Sequence, residues 1–423
     1  MARALRHRNF QLFFSGQLIS LIGTWMQTVA QSWLVYRLTG SSLLLGTVGF
    51  AGQIPIFLLA PIGGAAADRH NRHRIVIATQ ATSMVLALIL AVLTLAGAVR
   101  IWEIVTLAAL LGVVNAFDIP ARQAFLMDMV GREDLMNAIA LNSSMFNGAR
   151  VLGPAVAGVL VALVGEGWCF LLNGISYIAV IVGLLLMRID PPRILTDRGS
   201  AADDIIEGFR FVRATMPIRA LLLLIGLVSL VAMPYTILMP IFADQILQGG
   251  ARGLGLLMGA TGIGALVGAL TLAMREGLRG LGRWVAVSSA GFGLSLILFS
   301  ASRMFWLSFV LLVPAGFAMM LQMASTNTLI QSMVPDGLRG RVMAVYSMMF
   351  MGMAPLGALF AGSAAAGLGA PITVAIGGAL ALVGAGIFSL YLPAVRAEAR
   401  QLIIAQGMAG GEPPEELSAG PAP

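Results

Sequence analysis

The chain has 423 residues, of which 58% are hydrophobic and 11% charged, and its mean hydropathy is +0.91. Such long apolar stretches, together with 50 glycines, are typical of membrane helices and exclude an ordinary soluble protein of two or three domains. The net charge of +7 comes from arginine, because the sequence contains no lysine, and these arginines lie between apolar runs rather than on one basic face, which argues against nucleic-acid binding.

Apolar runs of about 20 residues, the length that crosses a bilayer as a helix, recur along the whole chain. Alternating segments typical of a membrane β-barrel are not visible. The first run is longer than the apolar part of a signal peptide, so we expect no cleaved leader. The sequence predicts an all-α membrane protein with twelve spans, which begin near Phe10, Leu43, Ile75, Ile101, Ala138, Gly167, Arg219, Leu254, Trp284, Phe305, Arg341 and Ile372.

The arginines divide unequally between the two sides of these spans. The amino end and every second loop hold 21 of the 26 basic residues. The opposite side holds Arg37, Arg100, Arg252 and Arg303, and Arg150 lies within a span. Since positive loops stay on the cytoplasmic side, we expect both termini in the cytoplasm and the protein in the cell membrane.

The largest interruption, residues 189–218, follows the sixth span and separates six-helix bundles at 1–188 and 219–400. Within this cytoplasmic linker, Asp203 and Asp204 precede a short amphipathic pattern, which predicts a helix on the membrane surface. Residues 401–423 are rich in glycine, proline and glutamate and are predicted to be disordered.

The two halves are related in sequence. Residues 129–165 placed on 333–369 give 13 identities in 37 positions, an offset of 204. Gly148, Gly153 and Gly158 match Gly352, Gly357 and Gly362. Two parallel six-helix repeats indicate a transporter with its site between the halves, and we expect it to function as a monomer.

Residues 64–74, GAAADRHNRHR, form a dense charge cluster between the second and third spans. The stretch resembles the cytoplasmic loop signature of the major facilitator superfamily. That resemblance implies a gating role for Gly64 in close helix approach, for Asp68 at the helix end, and for the cytoplasmic cations Arg69, Arg72 and Arg74. A plain positively charged loop is the alternative interpretation.

The loop departs from the family pattern at two positions, Asn71 and His73, where glycine and a basic residue are usual. Asparagine tolerates a left-handed backbone better than other non-glycine residues, so we expect the loop to keep its shape.

Two further resemblances concern transport direction. Gly153 and Pro154 in ARVLGPAVAG are similar to the helix-bending motif of superfamily members that export by proton antiport. RNFQLFFSGQLISLIGTWMQTVAQSWLVYRLTGSS, DIPARQAFL and IIEGFRFVRATMPIRALL resemble the bacterial branch that contains the enterobactin exporter and macrolide-efflux relatives. This implies the major facilitator fold, proton-driven efflux with the proton gradient as energy source, and a place for Arg122 of DIPARQAFL among the gating residues.

Polar side chains inside spans are costly and are therefore candidates for function. Ser20, Thr24, Gln27 and Gln31 form a polar stripe on the first span, whose alternative role is helix–helix hydrogen bonding. Trp25 and Trp33 are interpreted as packing or interface residues. The predicted cavity residues are Gln27, Gln31, Asn115, Arg150, Tyr235, Gln322 and Asn327.

Proton coupling requires a group that changes charge, and Asp118 is the acid placed within the body of a span. Its alternatives are a pair with Arg122 or a helix cap before Pro120. At the repeat offset Asp118 corresponds to Gln322 and Arg150 to Ala354. Since the second half lacks both charges, we expect Arg150 to attract an anionic or acceptor-rich substrate and Asp118 to exchange a proton. A structural Arg150–Asp118 ion pair is the alternative.

The sequence thus favours a secondary transporter, not an enzyme, whose partners are a small amphiphilic substrate (a siderophore or drug-like molecule) and the lipid bilayer. No cofactor or metal is expected, because Cys169 is the one cysteine and His70 and His73 have only Asp68 nearby. An importer with the same fold is the nearest alternative. A polytopic membrane enzyme is more distant, since no nucleophile–base pair is visible.

Overall fold

The computed structural model describes residues 3–187, 201–275, 277–278 and 280–406, and these residues are almost entirely helical. A short 3₁₀ turn, Arg3–Arg6, precedes the first helix. The helices are α1 Arg8–Thr39, α2 Ser42–Arg69, α3 Arg72–Leu95, α4 Ile101–Gly131, α5 Glu133–Val164, α6 Glu166–Leu185, α7 Ala201–Ala214, α8 Met216–Ile246, α9 Gly250–Ala273, α10 Leu281–Ala301, α11 Phe305–Met333, α12 Asp336–Leu368 and α13 Ala370–Ala405.

Within the described residues, eleven helices are long and apolar enough to cross a membrane. Helix α1, with 32 residues, is long enough but less apolar because it carries Gln17, Gln27 and Gln31. These eleven helices and α1 correspond to the twelve predicted spans. Each predicted start lies within five residues of the first residue of its helix. The prediction of an all-α membrane protein is confirmed.

Helices α4 and α5 meet at Gly131, whose φ of 71° is the one non-helical conformation between them. Glycine adopts this angle without a side-chain penalty. Helix α4 continues through Pro120 to Gly131, so the alternative in which Asp118 caps a helix before Pro120 is wrong.

The two halves pack their helices in the same pairs, which confirms the predicted repeat. In α1–α6, the pairs α1–α5, α1–α6, α2–α4 and α3–α6 are in contact, and α8–α12, α8–α13, α9–α11 and α10–α13 repeat them. Equivalent glycines make equivalent contacts: Gly112 lies against the backbone of Gly52, and Gly316 against that of Thr261. These glycines are conserved between the halves because the helix backbones touch there.

The helix bundle has two faces, one at each end of its spans. We call the face that carries Arg8 and Arg69 the terminal face, and the face that carries the α1–α2 and α5–α6 turns the distal face. At the distal face the halves meet through two glycine pairs, Gly46 with Gly362 and Gly158 with Gly255. Each glycine lies within six residues of a distal helix end, about 9 Å along the axis. The distal face is therefore closed in this structure.

Helix α7 lies where a short helix was expected, and it packs on α12 through a Glu207–Arg341 ion pair of 2.5 Å. Residues 188–200 and 407–423, which hold part of the predicted linker and most of the predicted tail, lie outside the described residues. Helix α13 continues through Ala405, so the prediction that the chain is disordered from residue 401 is wrong for its first five residues.

Candidate functional site

A central cavity of about 460 Å³ lies between the two halves. Helices α1, α2, α4 and α5 of the first half and α8, α9, α11 and α12 of the second contribute to its wall. Most lining side chains are apolar. Polar and charged groups on the wall are Trp25, Thr28, Gln31, Ser32, Gln53, Asn115, Arg150, Ser229, Thr236 and Thr261. A cavity of this size and character suits a small molecule.

Arg150 is the one charged side chain among the described residues that line this cavity. Its guanidinium lies 5.7 Å from the centre of the Trp25 ring and its Nη2 lies 3.8 Å from the sulfur of Met319. In the part of the chain that the structure describes, no ion pair between Arg150 and a carboxylate is present. Within the described residues this cation thus has no negative partner.

Burying the Arg150 charge in a span costs more free energy than its contacts with Trp25 and Met319 contribute. An arginine at the centre of a membrane helix costs about 2.5–3.5 kcal/mol. A cation–π contact returns about 0.5–2 kcal/mol, and a thioether is a weak acceptor. The positive charge of Arg150 is therefore available to a bound molecule.

Two further hydrogen-bond donors near Arg150 are buried without a partner in the described residues, Trp25 Nε1 and Tyr235 Oη. Trp25 lines the cavity itself, whereas Tyr235 is flanked by the lining residues Pro234 and Thr236. Buried donors normally have acceptors. These two increase the preference of this region for an acceptor-rich ligand.

The structure places some of the predicted cavity residues on the wall and others away from it. Gln31, Asn115 and Arg150 line the cavity, as does Pro154 of the helix-bending motif, whereas Gly153 lies against Trp25. The remaining four candidates are not among the lining residues: Gln27, Tyr235, Gln322 and Asn327.

Each of those four has a different environment. Gln27 accepts a hydrogen bond of 2.6 Å from Asn173 of α6, so it joins helices within one half. Asn327 accepts one of 2.5 Å from Gln331 on its own helix. Tyr235 packs edge-on against Phe292 at 5.9 Å, and Gln322 is fully buried with neither amide atom paired in the described residues.

Sequence reasoning missed Trp25, which we interpreted as a packing residue, and several hydroxyl and amide groups on the wall. The face of α1 that lines the cavity carries Trp25, Thr28, Gln31, Ser32 and Val35. These residues follow helical spacing. The sequence therefore contained the periodic pattern of the cavity-lining face. The predicted polar stripe through Thr24 and Gln27 lies on a different face of α1.

Asp118 lies inside the first half and not beside Arg150. Its carboxylate accepts hydrogen bonds from Thr79 Oγ1 at 2.7 Å and Gln80 Nε2 at 2.9 Å, and it pairs with Arg122 Nε at 3.3 Å. The structure contains the Asp118–Arg122 pair and does not contain an Asp118–Arg150 pair. Asp118 is almost fully buried, with its charge compensated locally.

The loop cluster between α2 and α3 is also held within the first half. Arg72 lies 3.6 Å from Asp68 and 3.2 Å from Asp128 of α4, and it donates to the carbonyl of Ala67 at 3.1 Å. Arg122 binds Asp118 instead of this loop. Arg69 and Arg74 are exposed.

Two details of this loop differ from expectation. A side chain at Gly64 would meet open space, whereas one at Gly63 would overlap the carbonyl of Ala116, so the close approach belongs to Gly63. Asn71 has a φ of −66° and accepts a hydrogen bond from the amide of Arg74, so it caps α3 and is not left-handed. The asparagine side chain thereby satisfies a backbone amide of the first turn, which glycine cannot do.

At the distal face, two hydrogen bonds between described residues join the halves directly. Ser42 of α2 donates to the carbonyl of Gly362 of α12 at 3.0 Å. Tyr36 of α1 donates to Asp244 of α8 at 2.7 Å, and Asp244 lies in a π-helical turn, Phe242–Ile246. Nearby, Arg37 binds Glu166 at 2.7 Å within the first half. The distal closure thus combines glycine contacts with two hydrogen bonds.

The family model for transmembrane secretion effectors matches residues 2–413, almost the whole chain. The chain belongs to this family of the major facilitator superfamily. It is therefore a multi-pass membrane transporter, and the resemblance seen in the sequence is confirmed.

The chain is similar to three characterised relatives. It is 28% identical to the staphyloferrin A transporter of Staphylococcus aureus over 82% of this chain and 87% of that one. It is 29% identical to the multidrug efflux pump Tap of Mycolicibacterium fortuitum over 88% and 93%. It is 26% identical to the enterobactin exporter of Shigella boydii over 93% of both chains.

Among solved structures, the fold is similar to that of a bacterial homologue of the iron transporter ferroportin in an inward-facing state, with a TM-score of 0.69. The sequences are 17% identical over 91% of this chain and 98% of that one. At this identity the likeness concerns the fold alone.

Proposed function

We propose that this protein exports a small amphiphilic molecule, a siderophore or drug-like compound, by alternating access. The observation that carries the proposal is a central cavity between two repeats that meet at one face, through Gly46–Gly362 and Gly158–Gly255. A site between two repeats that rock about it becomes accessible from alternate sides. The structure corresponds to the state closed at the distal face.

Two observations support the proposed direction of transport. The excess of arginine at the terminal face supports a cytoplasmic position for that face and for both termini, and in this orientation the cavity is closed to the outside. The relatives named for export or efflux, the enterobactin exporter and the multidrug pump, are similar over most of this chain. An importer is the alternative.

The proton gradient is the proposed energy source, and Asp118 is the proposed exchange group. Protonation of Asp118 would weaken its pair with Arg122 and its hydrogen bonds from Thr79 and Gln80. The two hydrogen bonds join α3 to α4, so a change in the Asp118 charge alters how two helices of the first half fit together.

The loop cluster is the proposed terminal-face latch. Gly63 lets α2 and α4 approach closely, and Arg72 links Asp68 to Asp128. In this state these contacts stay within one half. When the terminal face closes, the same charged groups are positioned to bind the facing helix ends of the other half.

Transport in everted membrane vesicles tests the export direction. A panel of siderophores and drug-like compounds is first screened for increased accumulation in cells that lack the protein. We expect a compound found in this way to enter everted vesicles when their lumen is acidified, and to stop entering when a protonophore is added. Gly158→Trp, which blocks the glycine contact at the distal face, is the inactive control. Uptake confined to right-side-out vesicles would show an importer instead.

A further inference from the structure

The proposed function does not specify the charge of the substrate, and the residues of the cavity wall indicate that charge. We infer that the transported molecule carries an acidic group that binds Arg150, with an apolar body held by the remaining wall. This inference rests on the proposed transport function and adds the charge of the substrate.

The charge balance of the wall is one-sided. Arg150 provides a cation, and none of the described lining residues is an aspartate or glutamate. A cationic substrate would therefore meet a like charge with no carboxylate to offset it, which costs affinity. The first-half carboxylate that could have compensated Arg150, Asp118, is committed to Arg122.

The donors near Arg150 give the acidic group a position. The guanidinium contacts the Trp25 ring of the first half and the Met319 sulfur of the second, so groups from both halves orient it. Trp25 Nε1 and Tyr235 Oη are buried donors without acceptors in the described residues. A carboxylate offers acceptor sites to several such donors at once, and a guanidinium binds it in bidentate geometry.

The apolar part of the wall gives the rest of the molecule a place. Aliphatic side chains contribute to the lining towards the distal end, and the second half contributes thioethers, which adapt to ligands of different shape. These side chains are Val35, Leu45, Val48, Ile237, Met233 and Met258. The ligand would lie with its acid at Arg150 and its body towards the distal face, in contact with both halves.

Binding of three matched probes to the purified full-length protein tests this inference. Pyrene carrying a butyrate, a butyramide or a butylammonium group differs in charge at nearly constant size. Affinities are measured by fluorescence in nanodiscs of a neutral phospholipid, with empty nanodiscs subtracted. We expect the butyrate to bind about 30-fold or more tightly than the butyramide, the order of effect of a buried charged contact, and the butylammonium to bind weakest.

Two variants of Arg150 test whether this residue causes the preference for the butyrate probe. Arg150→Gln should bring butyrate and butyramide to within threefold of each other, while Arg150→Lys keeps part of the preference because the charge remains. Equal binding of all three probes by the unmodified protein, or an unchanged preference in Arg150→Gln, overturns the inference.

A second variant keeps the test decisive where Arg150→Gln does not fold. Asn115→Asp places a carboxylate in the same cavity and leaves Arg150 intact. It should weaken butyrate binding at least tenfold and strengthen butylammonium binding, and unchanged affinities contradict the inference. Binding and transport fail separately: anion preference without efflux refutes the export proposal alone, whereas efflux that is indifferent to substrate charge refutes this inference alone.

Discussion

Asp118 and Arg150 are charged side chains inside neighbouring spans of the same half, and their surroundings are opposite. Asp118 receives hydrogen bonds from Thr79 and Gln80 and pairs with Arg122. Arg150 faces a cavity with no carboxylate partner among the described residues. The comparison shows that the first half compensates one charge within its own packing and leaves the other facing the cavity.

The second half sharpens the comparison, because it has the same helix pairs without either charge. Gln322 and Ala354 occupy the positions equivalent to Asp118 and Arg150. Gly153 and Gly158, in contrast, have glycine counterparts that make equivalent backbone contacts. Helix packing therefore requires the glycines and does not require the charges.

The largest expected effect comes from separating Asp118 from its cation. Arg122→Gln leaves a nearly buried carboxylate uncompensated and should lower stability by about 2–3 kcal/mol, at the lower end for a broken buried pair because the Arg122 side chain is 23% exposed. Arg150→Gln removes a cation that has no carboxylate partner among the described residues and should lower stability by less than about 1 kcal/mol. Thermal unfolding of both purified variants in one detergent measures the difference. A larger loss in Arg150→Gln reverses the comparison.

The double variant Asp118→Asn with Arg122→Gln separates a structural role of Asp118 from a role in proton exchange. Removing both charges should restore most of the stability lost in Arg122→Gln. If Asp118 exchanges the proton, this stable double variant still fails to drive efflux with a pH gradient. Recovery of both stability and pH-driven efflux would make the pair structural only.

The fold could be predicted from the sequence because the bilayer imposes it. A span needs about 20 apolar residues, and the repeated glycine spacing marks where helix backbones touch. Boundaries were less accurate at Ala138 and Arg341, where the helices begin five residues earlier, at Glu133 and Asp336. These extensions are polar and helical, so hydropathy alone does not detect them.

The site was predicted less completely, since a helix places adjacent residues about 100° apart. Gly63 and Gly64 are adjacent glycines that the sequence alone cannot tell apart, yet only Gly63 faces Ala116. Gln27 and Gln31 share one stripe, but Gln27 reaches Asn173 while Gln31 lines the cavity. Which neighbour a polar residue meets depends on tertiary packing, which periodicity does not specify. Arg150 was identifiable because a charge within a span is costly in any packing.

Gln27 and Gln31 are a second pair in which one side chain serves packing within the first half and the other faces the cavity. The expected effect on stability is smaller than for Arg122. Gln27→Ala leaves the buried Asn173 amide without its acceptor and should cost about 1–2 kcal/mol of stability. Gln31→Ala removes a group from the cavity wall and should alter probe affinity while stability changes by less than about 0.5 kcal/mol. Unfolding and pyrene-probe binding, measured on both variants, distinguish the two. Equal effects on both measurements would show that the two glutamines share one role.

The smallest expected effect concerns the distal face, where two acids again differ in their partners. Glu166 pairs with Arg37 inside the first half, whereas Asp244 accepts a hydrogen bond from Tyr36 across the two halves. The Tyr36–Asp244 bond must break when the distal face opens, while the Arg37–Glu166 pair can persist. Tyr36→Phe should therefore favour the distal-open state by about 0.5–1.5 kcal/mol, the worth of one hydrogen bond.

A cysteine placed at Leu45, a cavity residue near the distal end, reports that shift once Cys169 is replaced by serine. A membrane-impermeant maleimide added to intact cells should label this site up to about tenfold faster in Tyr36→Phe, the factor that corresponds to 1.4 kcal/mol. Arg37→Gln is the matched control and should leave the labelling rate unchanged, because its partner Glu166 belongs to the same half. If Arg37→Gln accelerates labelling as much as Tyr36→Phe does, general loosening of the distal face explains both results and the Tyr36–Asp244 hydrogen bond has no gating role.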